Sequence, residues 1–487
     1  MLLTRDTPPP PRPLVSLLRR FGSHAVVASL FAGLLGATSA WAAYPTLGKG
    51  QRNLQLTPQR YDSSGVPRDD STFSNPPAPT PTYTVSSVSG LIQALQNARA
   101  GQVIKIAPGT YRVTQRLDMA AGGTPTSPIL VTATPGTVVL EMDTVEGFRV
   151  TQPYWVFENL TIRGVCAIDN NCEHAFHVVR DARGTVIRNN RLENFNAQIK
   201  VNGEVGLWPD YGLVQYNTIT NTRPRTTDNP VDAIDLVGAN QWRYADNVIS
   251  NIIHLGGNGV SYAMFQKGAS QQGRIERNLV VCTDPNKYYP GARVGISFGG
   301  GGTGASVCRD LACKYEHNEG VAVNNVVAHC NDSGMDVNRS SNITLAHNTV
   351  IDTIGIDLRT TPASAKVYGN MLEGRISARS GAVFLDNRAN YVGSLVSVFM
   401  DPYNLDLRFR NAPSLIYTAW SAPHDFCRIP RAQYSLPGAF GAVTGCPPTG
   451  SGAPGTTVAT TTTTTTGVST TTVGDTTTTT RTVASDR

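Results

Sequence analysis

Asparagine recurs at similar intervals along the middle of this 487-residue chain, each time just before a short apolar run. The eight positions are Asn159, Asn190, Asn217, Asn247, Asn278, Asn325, Asn348 and Asn370. Successive members are 22 to 47 residues apart. A repeat of roughly 20 to 50 residues is typical of a solenoid, in which each unit buries its apolar side only by stacking on its neighbours.

Asparagine has two properties that suit the turns of stacked coils. It tolerates the left-handed backbone of a tight turn, and its amide can donate to one neighbouring coil and accept from the other. Short strands such as 185–188 and 342–345 flank these positions, and the connections are too short for crossover helices. We therefore predict an all-β, single-stranded parallel β-helix. An antiparallel sandwich is the alternative, but hairpins would not place one asparagine at the same point of every repeat.

Two segments mark the start of the solenoid. Residues 89–97 carry apolar side chains at helical spacing, which predicts a short N-terminal helix that caps the open end of the apolar stack. Residues 103–111, with the sequence VIKIAPGTY, have the pattern of a first strand and turn. In these features the chain resembles the right-handed parallel β-helix (pectate-lyase-like) carbohydrate-active proteins, over roughly residues 83–425. The resemblance implies a right-handed solenoid.

The two ends of the chain differ in composition from the repeats. Arg19-Arg20, a short apolar stretch and Ala40-Trp41-Ala42 have the pattern of a cleaved export signal. The predicted divisions are a signal peptide at 1–42, a Pro/Ser/Thr-rich linker or N-terminal wrap at 43–82, the β-helix at 83–425, a disulfide-closed segment at 426–449 and a disordered Thr-rich tail at 450–487. We expect a secreted or periplasmic protein with no membrane span in the mature chain.

Eight cysteines agree with an oxidising compartment. Cys166/Cys172 and Cys308/Cys313 are local pairs, Cys282 and Cys330 end similar segments and could join adjacent coils, and Cys427/Cys446 would close a C-terminal loop. The even number favours four disulfides, although sequence alone does not fix their connectivity. Close Cys-x2-Cys pairs that would indicate zinc do not occur.

The charge of the chain and its distribution limit the classes of ligand that we expect. The formal net charge is +6, part of it in the predicted signal peptide. The chain has no basic run and no interleaved aromatic pattern, so we expect no nucleic-acid partner. An anionic ligand such as an acidic polysaccharide is compatible with this charge. The sequence makes no prediction of the oligomeric state.

A second set of strands precedes the asparagine turns, and its alternation predicts which side chains face outward. The middle positions are His177, Lys200, Asp235, Ser297, Asp336 and Asp357, and two positions further along lie Asn202, Asn338 and Arg359. In residues 260–267 the same parity turns Phe265 and Lys267 outward. Because coils stack about 4.8 Å apart, these residues should form one ionisable stripe. A solvated face of paired charges is the non-functional alternative.

This stripe suits an extended sugar chain that carries charges. We assign substrate binding to His177, Asn202, Ser297, Asp336, Asn338 and Arg359 on that basis. Arg223 and Arg225, in a short Arg-Pro-Arg segment, are predicted to grip an anion at the edge of the cleft. The alternative for these two arginines is a solvated turn.

One stretch resembles the β-helix pectate lyases that use a lysine base with calcium. The matching segments are Asp232-Ala-Ile-Asp235-Leu, Gly256-Gly-Asn-Gly and Phe265-Gln-Lys267-Gly. The resemblance implies Asp232 and Asp235 as calcium ligands and Lys267 as the catalytic base. The chain departs from the pattern at Val231, where that family has an aspartate, and at Lys200, where no clear acid is offered. Lys200 is therefore predicted to replace the charge of the metal.

The chemistry of uronates explains the need for such groups. A proton beside a uronate carboxylate is removed only if a cation neutralises that carboxylate and a base lies near the C–H bond. We predict an exported enzyme that cleaves an acidic polysaccharide by β-elimination. Two alternatives remain: a glycoside hydrolase that uses Asp336 and Asp357, one coil apart, and a non-catalytic adhesive solenoid. Fold alone does not choose among the three.

Overall fold

The computed structural model describes residues 56–69, 79–300, 302–379 and 381–441. The predicted signal peptide, most of the 43–82 segment, Cys446 and the Thr-rich tail lie outside these residues. The prediction of a Cys427–Cys446 disulfide therefore remains a prediction. Within the described ranges, no helix is long and apolar enough to cross a membrane.

The chain from Tyr83 to Val392 forms a right-handed parallel β-helix. Its coils contribute strands to three all-parallel sheets, which we name A, B and C. The ten strands of sheet A are β4 (Leu117–Asp118), β7 (Glu146–Val150), β10 (His174–Val179), β13 (Ile199–Asn202), β16 (Val231–Val237), β19 (Val260–Lys267), β23 (Ala292–Gly299), β27 (Met335–Asn338), β30 (Gly355–Leu358) and β33 (Arg375–Ala378). The fold class predicted from the asparagine repeat is confirmed.

Sheets B and C complete each coil. The twelve strands of sheet B are β1 (Tyr83–Val85), β2 (Val103–Ile106), β5 (Ile129–Ala133), β8 (Trp155–Glu158), β11 (Val186–Arg188), β14 (Leu213–Gln215), β17 (Arg243–Ala245), β21 (Arg274–Glu276), β25 (Val321–Val323), β28 (Ile343–Ala346), β31 (Ser364–Tyr368) and β34 (Val383–Arg388). The eleven strands of sheet C are β3 (Gly109–Val113), β6 (Val138–Met142), β9 (Thr161–Gly164), β12 (Arg191–Glu193), β15 (Thr218–Thr220), β18 (Val248–Ser250), β22 (Leu279–Val281), β26 (Val326–Ala328), β29 (Thr349–Ile351), β32 (Met371–Leu372) and β35 (Tyr391–Val392).

The predicted capping helix is α1, Val88–Asn97. The Ser87 side chain caps it by accepting a hydrogen bond from the Gly90 N–H. Leu91, Ala94 and Leu95 are buried, and the helix packs on the first strands of all three sheets. It therefore covers the first coil, which would otherwise expose its apolar interior.

The asparagines form a continuous ladder at the turn between sheets B and C. In each step one Asn Oδ1 accepts hydrogen bonds from the backbone N–H and the Nδ2 of the asparagine one coil earlier. From Asn190 these steps pass through Asn217, Asn247, Asn278, Asn325, Asn348 and Asn370 to Asn390.

Two details differ from the expectation. The left-handed residue is the one before each ladder asparagine, as at Tyr216, Asp246 and Arg277. Asn159 lies at this preceding position too. Its side chain accepts a hydrogen bond from Asn189 and not from the ladder residue Asn190. The ladder asparagines are therefore selected for hydrogen bonding and not for a left-handed backbone.

Three of the predicted disulfides are present. Cys166–Cys172 and Cys308–Cys313 close local loops, and Cys282–Cys330 joins the ends of the adjacent strands β22 and β26. No cysteine in the described part of the chain is free.

The coils end before the predicted boundary at residue 425. After β35 the chain forms two antiparallel pairs, β36 (Phe399–Asp401) with β37 (Asp406–Phe409) and β38 (Ile416–Tyr417) with β39 (Tyr434–Ser435). A further short parallel pair, β20 (Ser270–Gln271) with β24 (His317–Asn318), lies within the solenoid. The C-terminal segment buries side chains such as Phe399 and Phe440 against the outer face of sheet C. Those apolar contacts, rather than another coil, explain its course.

Candidate functional site

The outer face of sheet A carries one continuous row of side chains, in register from coil to coil. Its members are Arg149, His177, Lys200, Asp235, Phe265, Ser297, Asp336, Asp357 and Ser377. The parity of the strands therefore brings the predicted stripe onto one sheet.

A break in the alternation adds a second row beside the first. In β16 the consecutive residues Ala233 and Ile234 both lie in the core, and Ala263 and Met264 do the same in β19. Because two residues in succession point inward, a residue three positions before a member of the first row also points outward. Asp232 therefore lies on the same face as Asp235, although strict alternation would place the two on opposite faces.

Lys200 and the two aspartates form the centre of the site. Lys200 Nζ lies 2.5 Å from Asp235 Oδ2, and the Tyr262 N–H donates to Asp232 Oδ1 at 3.1 Å. Burial, reinforced by the Asp235 carboxylate, raises the pKa of Asp232 to about 7 against the opposing charges of Lys267 and Lys200. At Asp235 the effect of burial is outweighed by Lys200 and then Lys267, which lower its pKa. Both lysines are therefore close enough to act on both carboxyl groups.

Lys267 ends β19, one coil after the aspartates. Its Nζ lies 4.2 Å from the centroid of the Phe265 ring, a cation–π contact. Phe265 faces outward but is only 1% exposed. The ammonium group of Lys267 lies over its ring. In the described part of the chain Lys267 has no ion pair or hydrogen bond from its ammonium group, in contrast to Lys200.

Two histidines border this cluster on the preceding coil. His177 bonds Glu146 Oε1 through Nδ1 at 2.7 Å and Asn202 Oδ1 through Nε2 at 2.9 Å. The hydrogen bond between His177 and Glu146 lowers the pKa of Glu146. Burial, and then the charge of His177, lowers the pKa of His174 to about 4, so its ring is neutral at physiological pH. The predicted residues His177 and Asn202 are thus held together beside Lys200.

The predicted residues on the later coils form a separate cluster around Arg359. The Arg359 Nε lies 3.0 Å from Asp336 Oδ1 and 3.4 Å from Asp357 Oδ2. Ser297 Oγ donates to Asp336 Oδ2 at 3.1 Å. Burial raises the pKa of Asp336 to about 7, despite the opposing charge of Arg359. Asp336 and Asp357 are each 1% exposed, which makes them supports for Arg359 rather than freely accessible acids.

The remaining predicted binding residues are placed differently. Asn338 is the last residue of β27 and pairs in register with Gly299. Arg223 and Arg225 both bind Asp169 instead. Arg225 is only 2% exposed and also donates to Asn196 Oδ1. Its guanidinium is therefore bound within the protein. The sequence analysis had instead predicted that it grips an anion at the edge of the cleft.

The aspartates do not fit a calcium ion. Calcium takes six to eight oxygen ligands, and Asp235 Oδ1 is buried without a hydrogen-bond partner within the described residues. However, the ammonium group of Lys200 lies on the other oxygen of Asp235 and opposes the binding of a second cation there. Elsewhere, Cys308, Cys313 and Glu316 lie close enough to hold an ion, but both sulfurs are joined in a disulfide.

Sequence reasoning missed Glu146, His174 and Tyr262. Tyr262 lies on the outer face next to Asp232 in register, and its ring meets the Phe265 ring edge-on at 5.4 Å. All three belong to the second row, which a strict period of two assigns to the interior. The only signal in the sequence is a small residue before a large apolar one, as in Ala175-Phe176 and Ala263-Met264.

Comparisons with known proteins identify the fold that carries this site. No protein-family model and no curated protein matches the sequence. Among solved structures, pectate lyase Pel9A is 14% identical, with 74% of this chain and 97% of that chain covered and a TM-score of 0.53. A rhamnogalacturonan lyase (14% identity, 61% and 80% covered, TM-score 0.41) and a PL6 family polysaccharide lyase from Pseudopedobacter saltans (13%, 68% and 97%, TM-score 0.38) also match. The chain thus has the pectate-lyase-like fold, a right-handed parallel β-helix.

Proposed function

We propose that this protein cleaves an acidic, uronate-containing polysaccharide by β-elimination, with Lys267 as the base. The observation that carries the proposal is the convergence of Lys200, Asp235 and Lys267 on the outer face of sheet A, which we call the sheet A site. Lys200 is tied to Asp235, whereas Lys267 has no ion pair in the described part of the chain. The two lysines are therefore suited to different tasks.

Lys200 is proposed to neutralise the substrate carboxylate. Asp232 has a pKa of about 7, so below that pH two ammonium groups face only one ionised carboxylate, that of Asp235. This excess positive charge attracts a uronate and stabilises the negative charge that develops when the neighbouring proton leaves. Lys200 would thereby take the part that calcium plays in the lysine-base lyases whose motifs the sequence resembles.

Lys267 is proposed to remove that proton. The step needs its neutral amine: the amine takes the proton beside the carboxylate, the electron pair forms the C=C bond, and the glycosidic oxygen leaves.

The fold and the disulfides agree with this proposal. One solved structure that matches with a TM-score above 0.5 is a pectate lyase, and uronates are the acidic sugars that a pair of lysines would recognise. Three disulfides are consistent with a location outside the cytoplasm, as is the sequence of residues 1–42.

The hydrolase alternative is less well supported. A hydrolase needs one carboxyl group to reach the glycosidic oxygen and a second to reach the sugar or a water molecule. Asp336 and Asp357 are both closed off by Arg359, and Asp357 is also held by Arg379 and Ser377.

Product analysis on a panel of polymers separates the three functions. Polygalacturonate, polymannuronate and polyguluronate are incubated with the protein, and the products are examined by ultraviolet absorbance and a reducing-end assay. We expect an absorbing, unsaturated end from at least one polymer. Reducing ends without that absorbance would show a hydrolase, and unchanged polymers with retained binding would show an adhesive protein.

A further inference from the structure

A polar cavity lies on the outer face of sheet B, away from the sheet A site. Its volume is about 400 Å³, within the range of small-ligand sites. Arg243 and Arg274, in β17 and β21, line this cavity together with Asp69 and His424. It thus forms where the N-terminal segment 56–69 and the C-terminal segment meet the solenoid.

Positive charge exceeds negative charge around this cavity. Four arginines, Arg243, Arg274, Arg277 and Arg428, surround it, and their acidic partners are Asp69, Asp246 and Glu276. These contacts hold both terminal segments on sheet B. If these ion pairs served only to attach the two terminal segments, the charged side chains would need no cavity between them.

Two of the arginines still have donors to offer. Arg243 uses Nε and Nη2 for Glu276 and Asp69, and Arg274 uses Nε for Glu276 and Nη2 for the Ser421 carbonyl at 2.9 Å. Their Nη1 groups donate no hydrogen bond within the described ranges. The side chains are 28% and 31% exposed. A planar guanidinium with free N–H groups is suited to a carboxylate.

An exposed tryptophan directly precedes a residue that contacts one of these arginines. Trp420 is 89% exposed, and the next residue, Ser421, provides the carbonyl that holds Arg274. Tyr417, in β38, is also 56% exposed. Exposed aromatic side chains beside polar donors are typical of binding surfaces, and a flat ring can stack on the apolar face of a sugar.

We propose that this cavity is a second, non-catalytic site for a carboxylate-bearing sugar unit of a polysaccharide. Arg243 and Arg274 bind the carboxylate, and Trp420 packs against the sugar ring. The sugar class rests on the proposed function of the sheet A site, but the cavity and its donors do not. A site on another face of the solenoid would hold the protein on its polymer while the sheet A site acts elsewhere along the chain.

Calorimetric titration tests the site directly. The probes are trigalacturonate and trimannuronate, with maltotriose as the neutral control, and the titrations use the full-length Lys267→Ala protein so that no ligand is consumed. In that background Trp420→Ala and, separately, Arg274→Gln should remove one binding event or weaken it at least tenfold. Tyr288→Ala, at a 91% exposed tyrosine elsewhere, and Arg112→Gln, at an exposed arginine paired with Asp143, should leave the titration unchanged.

Each outcome decides the matter. Equal affinity and stoichiometry in the Trp420→Ala protein and its parent would overturn the proposal, as would tight binding of maltotriose. A lower melting temperature of Arg274→Gln with unchanged binding would show that the arginines only dock the C-terminal segment. If the wild type forms no elimination product but Trp420→Ala still loses binding, the proposed function fails and the second site stands.

Discussion

Asp336 is a carboxyl group whose ionisation opposes folding. Burial raises its pKa from 3.8 to about 7. Between these values the folded protein retains a proton that the unfolded chain has lost, so the contribution of this group to stability is complete below pH 3.8 and is lost as the pH rises through 7. Asp232, with a pKa of about 7, acts in the same direction.

An amide at position 336 removes this pH dependence. Asp336→Asn cannot ionise and can still accept the hydrogen bond from Ser297. The melting temperature of the variant minus that of the wild type should therefore be more positive at pH 8 than at pH 5. In Asp284→Asn the difference should be the same at both values, because Asp284 lies in an exposed loop and its pKa is lowered by the Asn286 backbone N–H. Equal differences for Asp336→Asn would contradict the assignment.

Chelation separates the two ways of neutralising a uronate. With Lys200 2.5 Å from Asp235, elimination should not depend on calcium. Protein dialysed against EDTA should keep its rate of ultraviolet absorbance increase. A loss that added calcium restores would show that the metal, and not Lys200, neutralises the carboxylate.

The sequence predicts the residues of the first row better than those of the second. Lys200 and Asp235 of the first row, and Lys267 two residues beyond its member Phe265, follow from alternation and coil stacking. The placement of Tyr262 and His174 depends on two successive inward residues, whose side chains fill the interior of the coil, and a period of two does not contain that information. The pKa of a carboxyl group also depends on its burial, which explains why the raised pKa of Asp232 was not predicted.

At the scale of the element, the asparagine ladder sets the register of the coils. Each amide satisfies backbone groups on neighbouring coils that are shut off from water. The sequence revealed this because one residue type at one position per repeat serves one purpose. It did not reveal that the residue before it takes the left-handed backbone, since Tyr216, Asp246 and Arg277 have no common chemistry.

Removal of one ladder amide should be costly. Asn278→Ala leaves the Asn247 N–H and the Tyr244 carbonyl without their partner, and each buried unsatisfied group costs about 1–3 kcal/mol. We expect the free energy of unfolding in urea to fall by about 3 kcal/mol. Asn97→Ala, at an exposed position in α1, should change it by less than about 0.5 kcal/mol. Equal effects would show that the ladder does not stabilise the coils.

At the scale of the whole molecule, the sequence predicts the start of the solenoid and misplaces its end. The start has a helix of recognisable spacing and a recognisable first turn. The end at Val392 is set by apolar residues 395–440 that pack on the outer face of sheet C. Such contacts between distant parts of the chain leave no periodic pattern. The N-terminal segment is similar, since Asp69 reaches Arg243 and Arg277 across 174 and 208 residues.

The central claim is that Lys267 is the base, and a comparison of two lysine variants tests it most directly. Lys267→Ala and Lys366→Ala both remove a partly or fully exposed lysine, from sheet A and sheet B respectively, so neither should unfold the protein. On the polymer that the wild type cleaves, Lys267→Ala should lose the ultraviolet signal by at least about 100-fold, the usual contribution of a general base, while Lys366→Ala keeps the wild-type rate. A Lys267→Ala protein that is folded and eliminates at the wild-type rate would contradict the mechanism.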